Sequence, residues 1–114
     1  MITNTDITVF HLVKDEKTRM EKWKRFNYEK VWWFEKDSIT ESNGFRDNNS
    51  LDVRIPYRLG LDIENFSKGD LILKGLVDKD IQSSSELSEY NIYTITSLMN
   101  NNFGSNKHIH IKGN

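Results

Sequence analysis

Two histidines late in the chain have the spacing of a pair of metal ligands. His108 and His110 are two residues apart in an alternating segment, so a β-strand would place both side chains on one face. A metal site needs more ligands than two, and His11 is remote in sequence, with no carboxylate near the pair. The pattern therefore favours an exposed polar face opposite Ile109 and Ile111, and we expect neither a metal nor a cofactor.

Other patterns of reactive residues are incomplete. Two acidic pairs have a spacing that suits general acid–base catalysis but lie in no motif; they are Asp78 with Asp80, and Glu86 with Glu89. Gly104-Ser105 lacks the rest of a nucleophile elbow. The chain contains no Cys, which excludes disulfides, thiolate nucleophiles and Cys-ligated metals. The sequence therefore favours a protein that is not an enzyme.

Aromatic and basic side chains are interleaved between Lys22 and Phe34. Such interleaving is typical of surfaces that bind single-stranded nucleic acid, although aromatic residues that fill a core give the simpler interpretation. Because Trp32 and Trp33 are adjacent, a strand directs them to opposite faces. One of the two must therefore lie outside the core, and an outward tryptophan is a typical interface anchor.

Length and charge limit the classes of protein. The chain has 114 residues and a net charge of −1, which fits a single domain over residues 1–114 and argues against a surface built wholly for nucleic acid. No apolar run approaches the roughly 20 residues of a membrane span, and Met1–Phe10 lacks the pattern of a signal peptide, so we expect neither membrane association nor secretion by that route.

Charge is distributed unevenly along the chain. Residues 14–30 include seven basic and four acidic residues, whereas residues 60–90 include three basic and seven acidic residues. Opposite patches on one small domain allow head-to-tail contacts between copies, and contacts of that type can close into rings. A mixed, solvated surface is the alternative interpretation.

The elements that position these residues are predicted to be β-strands. The predicted strands cover residues 5–14, 18–36, 51–58, 71–74, 91–98 and 107–112. In the second of them, Phe26, Tyr28, Trp32 and Phe34 are expected on one side. Long loops are predicted over Asp37–Ser50 and Leu59–Lys68, and a short helical turn over Ser83–Tyr90, with Ser84 or Ser85 as N-cap. The pattern predicts a mainly β protein, a small antiparallel β-barrel of about six strands with long loops and one short helix.

Seven stretches, in this order, resemble a family of small tail- or neck-region proteins encoded in the structural gene clusters of phages and prophages of Gram-positive bacteria. They are Ile7–Leu12, Glu16–Trp23, Val31–Phe34, Val53–Pro56, Gly69–Gly75, Tyr93–Ser97 and Phe103–Ser105. The closing strand of that family usually reads His-Trp-x-Val, where this chain has His108-Ile109-His110-Ile111.

The resemblance implies a structural protein of the virion, a head-closure or head–tail connector. Copies would assemble in the host cytoplasm into a ring at the neck, between a portal-side adaptor and tail-side ring proteins, around a channel that conducts double-stranded DNA without binding it specifically. The residues expected to make ring and stacking contacts are Arg19, Trp23, Trp32, Trp33, Arg54 and Phe103. A tail-terminator or tail-completion protein is the alternative within this class, and a single-stranded nucleic-acid-binding module on an OB-like barrel is the alternative from another.

Overall fold

The computed structural model describes residues 3–14, 16–40, 46–58, 60–101, 104–105 and 107–114, without the side chains of 36–40 and 46–49. Six strands are present: β1 Thr5–Lys14, β2 Glu21–Thr40, β3 Arg46–Pro56, β4 Leu71–Lys74, β5 Ile92–Asn101 and β6 His108–Gly113. The helical elements of the described residues are two 3-10 turns, Ile63–Asn65 and Ser84–Leu87. Within the same residues, no helix has the length and apolarity needed to cross a bilayer.

The six strands close into a barrel in the order β1-β2-β3-β6-β5-β4, with antiparallel pairing throughout. The predicted fold class is confirmed. Alternation in β3 illustrates why the barrel forms, because Leu51, Val53 and Ile55 are buried inside it while Arg54 faces solvent. Apolar side chains from all six strands, together with Phe66, fill the interior. Each of the six described strands pairs with two neighbours, so none of them is an edge strand of an open sheet.

A β-bulge interrupts the pairing of β2 with β1. Glu29 and Lys30 together oppose the single residue Asp6, and Lys30 has a φ of 56°. The Asp6 carboxylate accepts the Lys30 N–H at 3.0 Å. The Arg58 guanidinium donates to the Glu29 carbonyl and, at 2.8 Å, to the Lys30 carbonyl. These bonds hold Lys30 in a backbone conformation that residues other than glycine rarely adopt.

The bulge overturns the predicted sharing of one face by four aromatic residues of β2. Phe26 and Tyr28 pack with the interior before the bulge, but beyond it Trp33 is buried while Trp32 and Phe34 lie outside. One extra residue reverses the faces of every later side chain in a strand, since the side-chain period is two. Lys30 does not signal a bulge, because a positive φ is most often adopted by Gly, Asn or Asp.

Beyond the barrel, β2 and β3 continue as a two-stranded ribbon. Residues 36–40 of β2 pair with residues 46–50 of β3. These pairs lie beyond Leu51, where the pairing of β3 with β6 ends, so they extend outside the barrel. The predicted loop over Asp37–Ser50 is therefore wrong at residues 37–40 and 46–50, and residues 41–45 lie outside the described residues. The five residue pairs extend the ribbon by about 17 Å at about 3.4 Å per residue. The composition of this segment predicts a loop because Asn, Asp and Ser are unfavourable strand residues.

A second apolar cluster lies on the outside of the barrel, under the chain that joins β4 to β5. This β4–β5 connection (residues 75–91) covers outward side chains of β1 and β4. The cluster consists of Phe10, Leu71, Leu73, Val77, Ile81 and Leu87, with Trp23 and Ile92 packed against it. The predicted short helix is the 3-10 turn within this connection. Its N-cap is Ser83 rather than Ser84 or Ser85, because the Glu86 carboxylate accepts the Ser83 N–H.

The Thr8 hydroxyl ties the start of the connection to the barrel. It is fully buried, donates to the Gly75 carbonyl at 2.8 Å, and accepts the Val77 N–H and the Asn27 amide, each at 2.9 Å. All of its hydrogen-bonding capacity is used, so its burial carries little penalty.

A buried carboxylate joins β1 to the turn before β4. Asp70 is 1% exposed. One oxygen accepts the Leu12 N–H at 3.1 Å; the other accepts the Ser67 N–H at 2.8 Å and lies 2.6 Å from Nδ1 of His11. Charge-assisted bonds of this kind are stronger than neutral ones, so Asp70 fixes the turn that starts β4.

Candidate interaction surface

The outward side chains of β2, β3, β6 and β5 form a wall on the side of the barrel away from the β4–β5 connection. Trp32 pairs with Arg54, Arg54 with His110, and His110 with Met99, so these four lie in one row across four strands. We call this surface the outer wall; it comprises Trp32, Phe34, Asp52, Arg54, Met99, His110 and Lys112.

Contacts within the outer wall hold its aromatic side chains in place. The Trp32 and Phe34 rings are stacked, with centroids 5.7 Å apart and planes 10° apart. The Arg54 guanidinium carbon lies 4.9 Å from the Trp32 ring centroid, a cation–π geometry. Nε2 of His110 lies 3.1 Å from the Asp52 carboxylate. A partner docking here would meet an ordered surface, which lowers the entropic cost of binding.

The outer wall exposes apolar area at both of its edges. Phe34 is 49% exposed at the β2 edge and Met99 is 55% exposed at the β5 edge. A single exposed apolar residue is ordinary, but aromatic residues, Met and Arg grouped on one face are the composition of protein–protein interfaces. The opposite side of the barrel is covered by the β4–β5 connection. The two sides of the barrel therefore differ, and the outer wall is the better candidate for a docking surface.

The two histidines of β6 have protein partners. Their ring centroids are 6.4 Å apart, which agrees with the predicted common face. His110 faces Asp52, and a ring nitrogen of His108 lies 3.0 Å from the Asn101 amide. Among the described residues, no three His, Asp or Glu side chains lie close enough together to hold a metal ion.

The structure separates the residues predicted to make contacts. Trp32 and Arg54 come together on the outer wall, while Trp33 lies in the core and is 5% exposed. Trp23 packs on the second apolar cluster, and exposed Arg19 lies between β1 and β2. Phe103 lies outside the described residues.

The contact residues predicted from the sequence do not include the two exposed apolar members of the outer wall, Phe34 and Met99. Simple alternation along β2 predicts Phe34 on the same side as Tyr28, because it takes no account of the bulge. A second register shift lies between Ile95 and Ser97 of β5, and it makes alternation a poor guide to where Met99 points.

The acidic pairs considered for catalysis lie exposed in the β4–β5 connection. Asp80 forms an ion pair with Arg25 at 3.2 Å. Backbone N–H groups, first of Ser83 and then of Gln82, lower the pKa of Glu86. Glu86 thus caps the 3-10 turn, and this arrangement supports a structural role for its carboxylate.

A cleft of about 420 Å³ opens beside the bulge and is lined in part by Phe26, Tyr28, Arg58, Leu61 and Asn65. The Tyr28 hydroxyl is buried and has no hydrogen-bond partner among the described residues. Burial, and to a lesser extent the charge of Asp62, raises the pKa of Tyr28 to about 12. The phenol is therefore protonated and uncharged at neutral pH.

Replacing Tyr28 with phenylalanine is expected to raise the free energy of unfolding by about 1 kcal/mol, because a buried hydroxyl without a partner loses its hydration. The wild-type protein should also lose stability as pH rises from 10 to about 12, since the unfolded chain releases the proton first. The Tyr28→Phe variant should lose less stability than the wild type over this pH range. Urea unfolding at several pH values measures both effects, and a variant less stable than the wild type would contradict the assignment.

Fold and surface together define a small closed β-barrel whose outer wall is a candidate interaction surface. The chain belongs to a family of unknown function (DUF6751), whose model matches residues 2–114. No curated protein and no solved structure matches the chain.

Proposed function

We propose that this protein is a structural protein of a phage virion, a head-closure connector. Copies form a ring at the neck, between the portal-side adaptor and the tail. The observation that carries the proposal is the outer wall, where Trp32, Phe34 and Arg54 form an ordered and exposed surface on a closed barrel. The resemblance of seven ordered sequence stretches to phage neck proteins supports the proposed location.

The architecture supports a role as an assembly component. A ring subunit must present contact surfaces to its neighbours, and aromatic and Arg side chains are enriched at the centres of such contacts. The ribbon formed by residues 36–40 and 46–50 extends past the barrel. Two-stranded ribbons are only marginally stable alone in water, so packing against a neighbouring protein would stabilise it.

Disrupting the gene in the genome that encodes this chain tests the proposal. We expect filled heads and tails that fail to join, with infectivity restored by the wild-type gene supplied in trans. Normal particle yields after disruption would contradict a role in the neck. A tail-terminator or tail-completion role is distinguished by the partner, since a closure protein should co-purify with the portal-side proteins of tailless heads.

A single-stranded nucleic-acid-binding module remains the second candidate, because Trp32, Phe34 and Arg54 also resemble a stacking platform on a barrel. Apart from Trp32 and Phe34, the aromatic residues between Lys22 and Phe34 pack with the core or the second apolar cluster. They are therefore not available to stack on bases. Salt-dependent binding of a fluorescent oligonucleotide that is lost in Trp32→Ala would support this function. Absence of binding at low salt would dismiss it.

A further inference from the structure

We propose that the ring contact is head-to-tail, with the outer wall of one copy seated on the β4–β5 connection of the next copy. This inference rests on the proposed function, because it names the two surfaces through which the ring would form. The occupant of the outer wall is thus a second copy of this chain.

The β4–β5 connection has the composition of a complementary surface. Four of its side chains are acidic and exposed, against one basic side chain, Lys79; the acidic residues are Asp78, Asp80, Glu86 and Glu89. Two apolar side chains accompany them, Leu76 at 47% and Tyr90 at 36% exposed. Asp80 is paired with Arg25 of the same chain, and the exposed charge of the connection is mainly acidic. Exposed apolar area beside charge of mainly one sign is typical of a specific contact surface.

The outer wall has the opposite charge. Arg54 and Lys112 are exposed there, and its carboxylate, Asp52, faces His110. The apolar area of Phe34 and Met99 would meet that of Leu76 and Tyr90. Acidic side chains approaching Arg54 and Lys112 would favour this orientation and disfavour the contact of two outer walls, in which like charges would meet.

The positions of the two surfaces in the barrel allow a closed ring. In the cyclic order of strands, β6 lies opposite β1 and β3 lies opposite β4. The connection covers β1 and β4, whereas the outer wall is centred on β3 and β6. Each copy therefore carries two different surfaces on opposite sides, so a heterologous contact can repeat from copy to copy, and it forms a ring where the rotation between successive copies closes.

Cysteine cross-linking tests the contact directly, because the chain has no Cys of its own. Met99→Cys places a thiol on the outer wall and Leu76→Cys places one on the connection. When the two variants are mixed and oxidised, we expect a dimer containing one of each, formed about tenfold faster than with a control thiol, since a specific complex raises the effective concentration of the thiols. Met20→Cys mixed with Leu76→Cys is the control, because Met20 is equally accessible at 63% exposure and lies off the outer wall.

Charge reversal provides the second arm of the test. Arg54→Glu with Lys112→Glu, added to the Met99→Cys chain, should slow cross-linking to the rate of the Met20 control. Asp78→Lys with Glu89→Lys, added to the Leu76→Cys chain, should restore fast cross-linking to the charge-reversed Met99→Cys chain. A mixture that cross-links no faster than the control would overturn the inference. So would either single variant dimerising with itself as fast as the mixture forms the mixed dimer, because that result indicates a symmetric contact.

These outcomes are separable from the fate of the proposed function. If the mixed dimer forms but the protein is absent from particles, the contact stands and the neck role fails. If the protein lies at the neck but the mixed dimer does not form, the ring is built through other surfaces and this inference fails.

Discussion

Replacing Asp70 with alanine is expected to lower the free energy of unfolding by about 3–5 kcal/mol, because three donors lose one shared acceptor and each polar group left unsatisfied costs about 1–3 kcal/mol. The substitution leaves the N–H groups of Leu12 and Ser67, and Nδ1 of His11, without the acceptor that each has in the native protein. These groups would stay partly buried between β1 and the turn before β4. The local structure that starts β4 should therefore loosen before the rest of the barrel does.

Urea unfolding monitored by tryptophan fluorescence measures this effect, and Asp62→Ala is the matched control. Asp62 is an exposed N-cap that accepts one backbone N–H, from Glu64, so its removal should cost only about 1 kcal/mol. Asp70→Asn should give a smaller loss than Asp70→Ala, since an amide oxygen can still accept a hydrogen bond. A loss for Asp70→Ala no larger than that of the Asp62 control would show that the buried carboxylate does not organise the turn.

Replacing each of the two adjacent tryptophans is expected to change stability by very different amounts. Trp33→Ala should lower the free energy of unfolding by about 3–5 kcal/mol, because Trp33 is buried, meets Tyr93 edge-on at 5.8 Å and donates its indole N–H to Glu35. Trp32→Ala should cost only about 1 kcal/mol, because it loses the contacts with Phe34 and Arg54 at a partly exposed site.

In the complementation assay both variants should fail, but for different reasons. Trp32→Ala should accumulate as folded protein and yet fail to restore the joining of heads and tails. Trp33→Ala should fail because little folded protein accumulates. Circular dichroism and soluble yield separate the two causes. Full complementation by Trp32→Ala would remove the outer wall from the assembly contacts.

Much of the barrel could be predicted from the sequence because its strands alternate. In β6 and in the part of β3 that pairs with it, apolar residues such as Val53 and Ile111 occupy every second position, and residues 51–56 and 108–112 of these strands lie within the predicted segments. The opposite orientation of Trp32 and Trp33 followed from the same period. Strand number and closure could be inferred because short strands separated by turns must bury one face and cover their edges.

What could not be predicted depends on interactions between distant segments. The bulge at Lys30 is held by Asp6 and Arg58, each more than twenty residues away in sequence, and Lys30 itself carries no bulge signal. The burial of Asp70 depends in the same way on β1. The ribbon has the composition of a loop, so only its pairing reveals it. These three features determine which side chains reach the outer wall and how β4 begins, and local patterns do not report them.

Cryo-electron microscopy of purified particles, reconstructed without imposed symmetry, tests the central claim most directly. The account predicts a ring of copies of this barrel at the head–tail junction, with Trp32 and Arg54 of each copy at the contact with the next. Intact particles that lack this chain would contradict it.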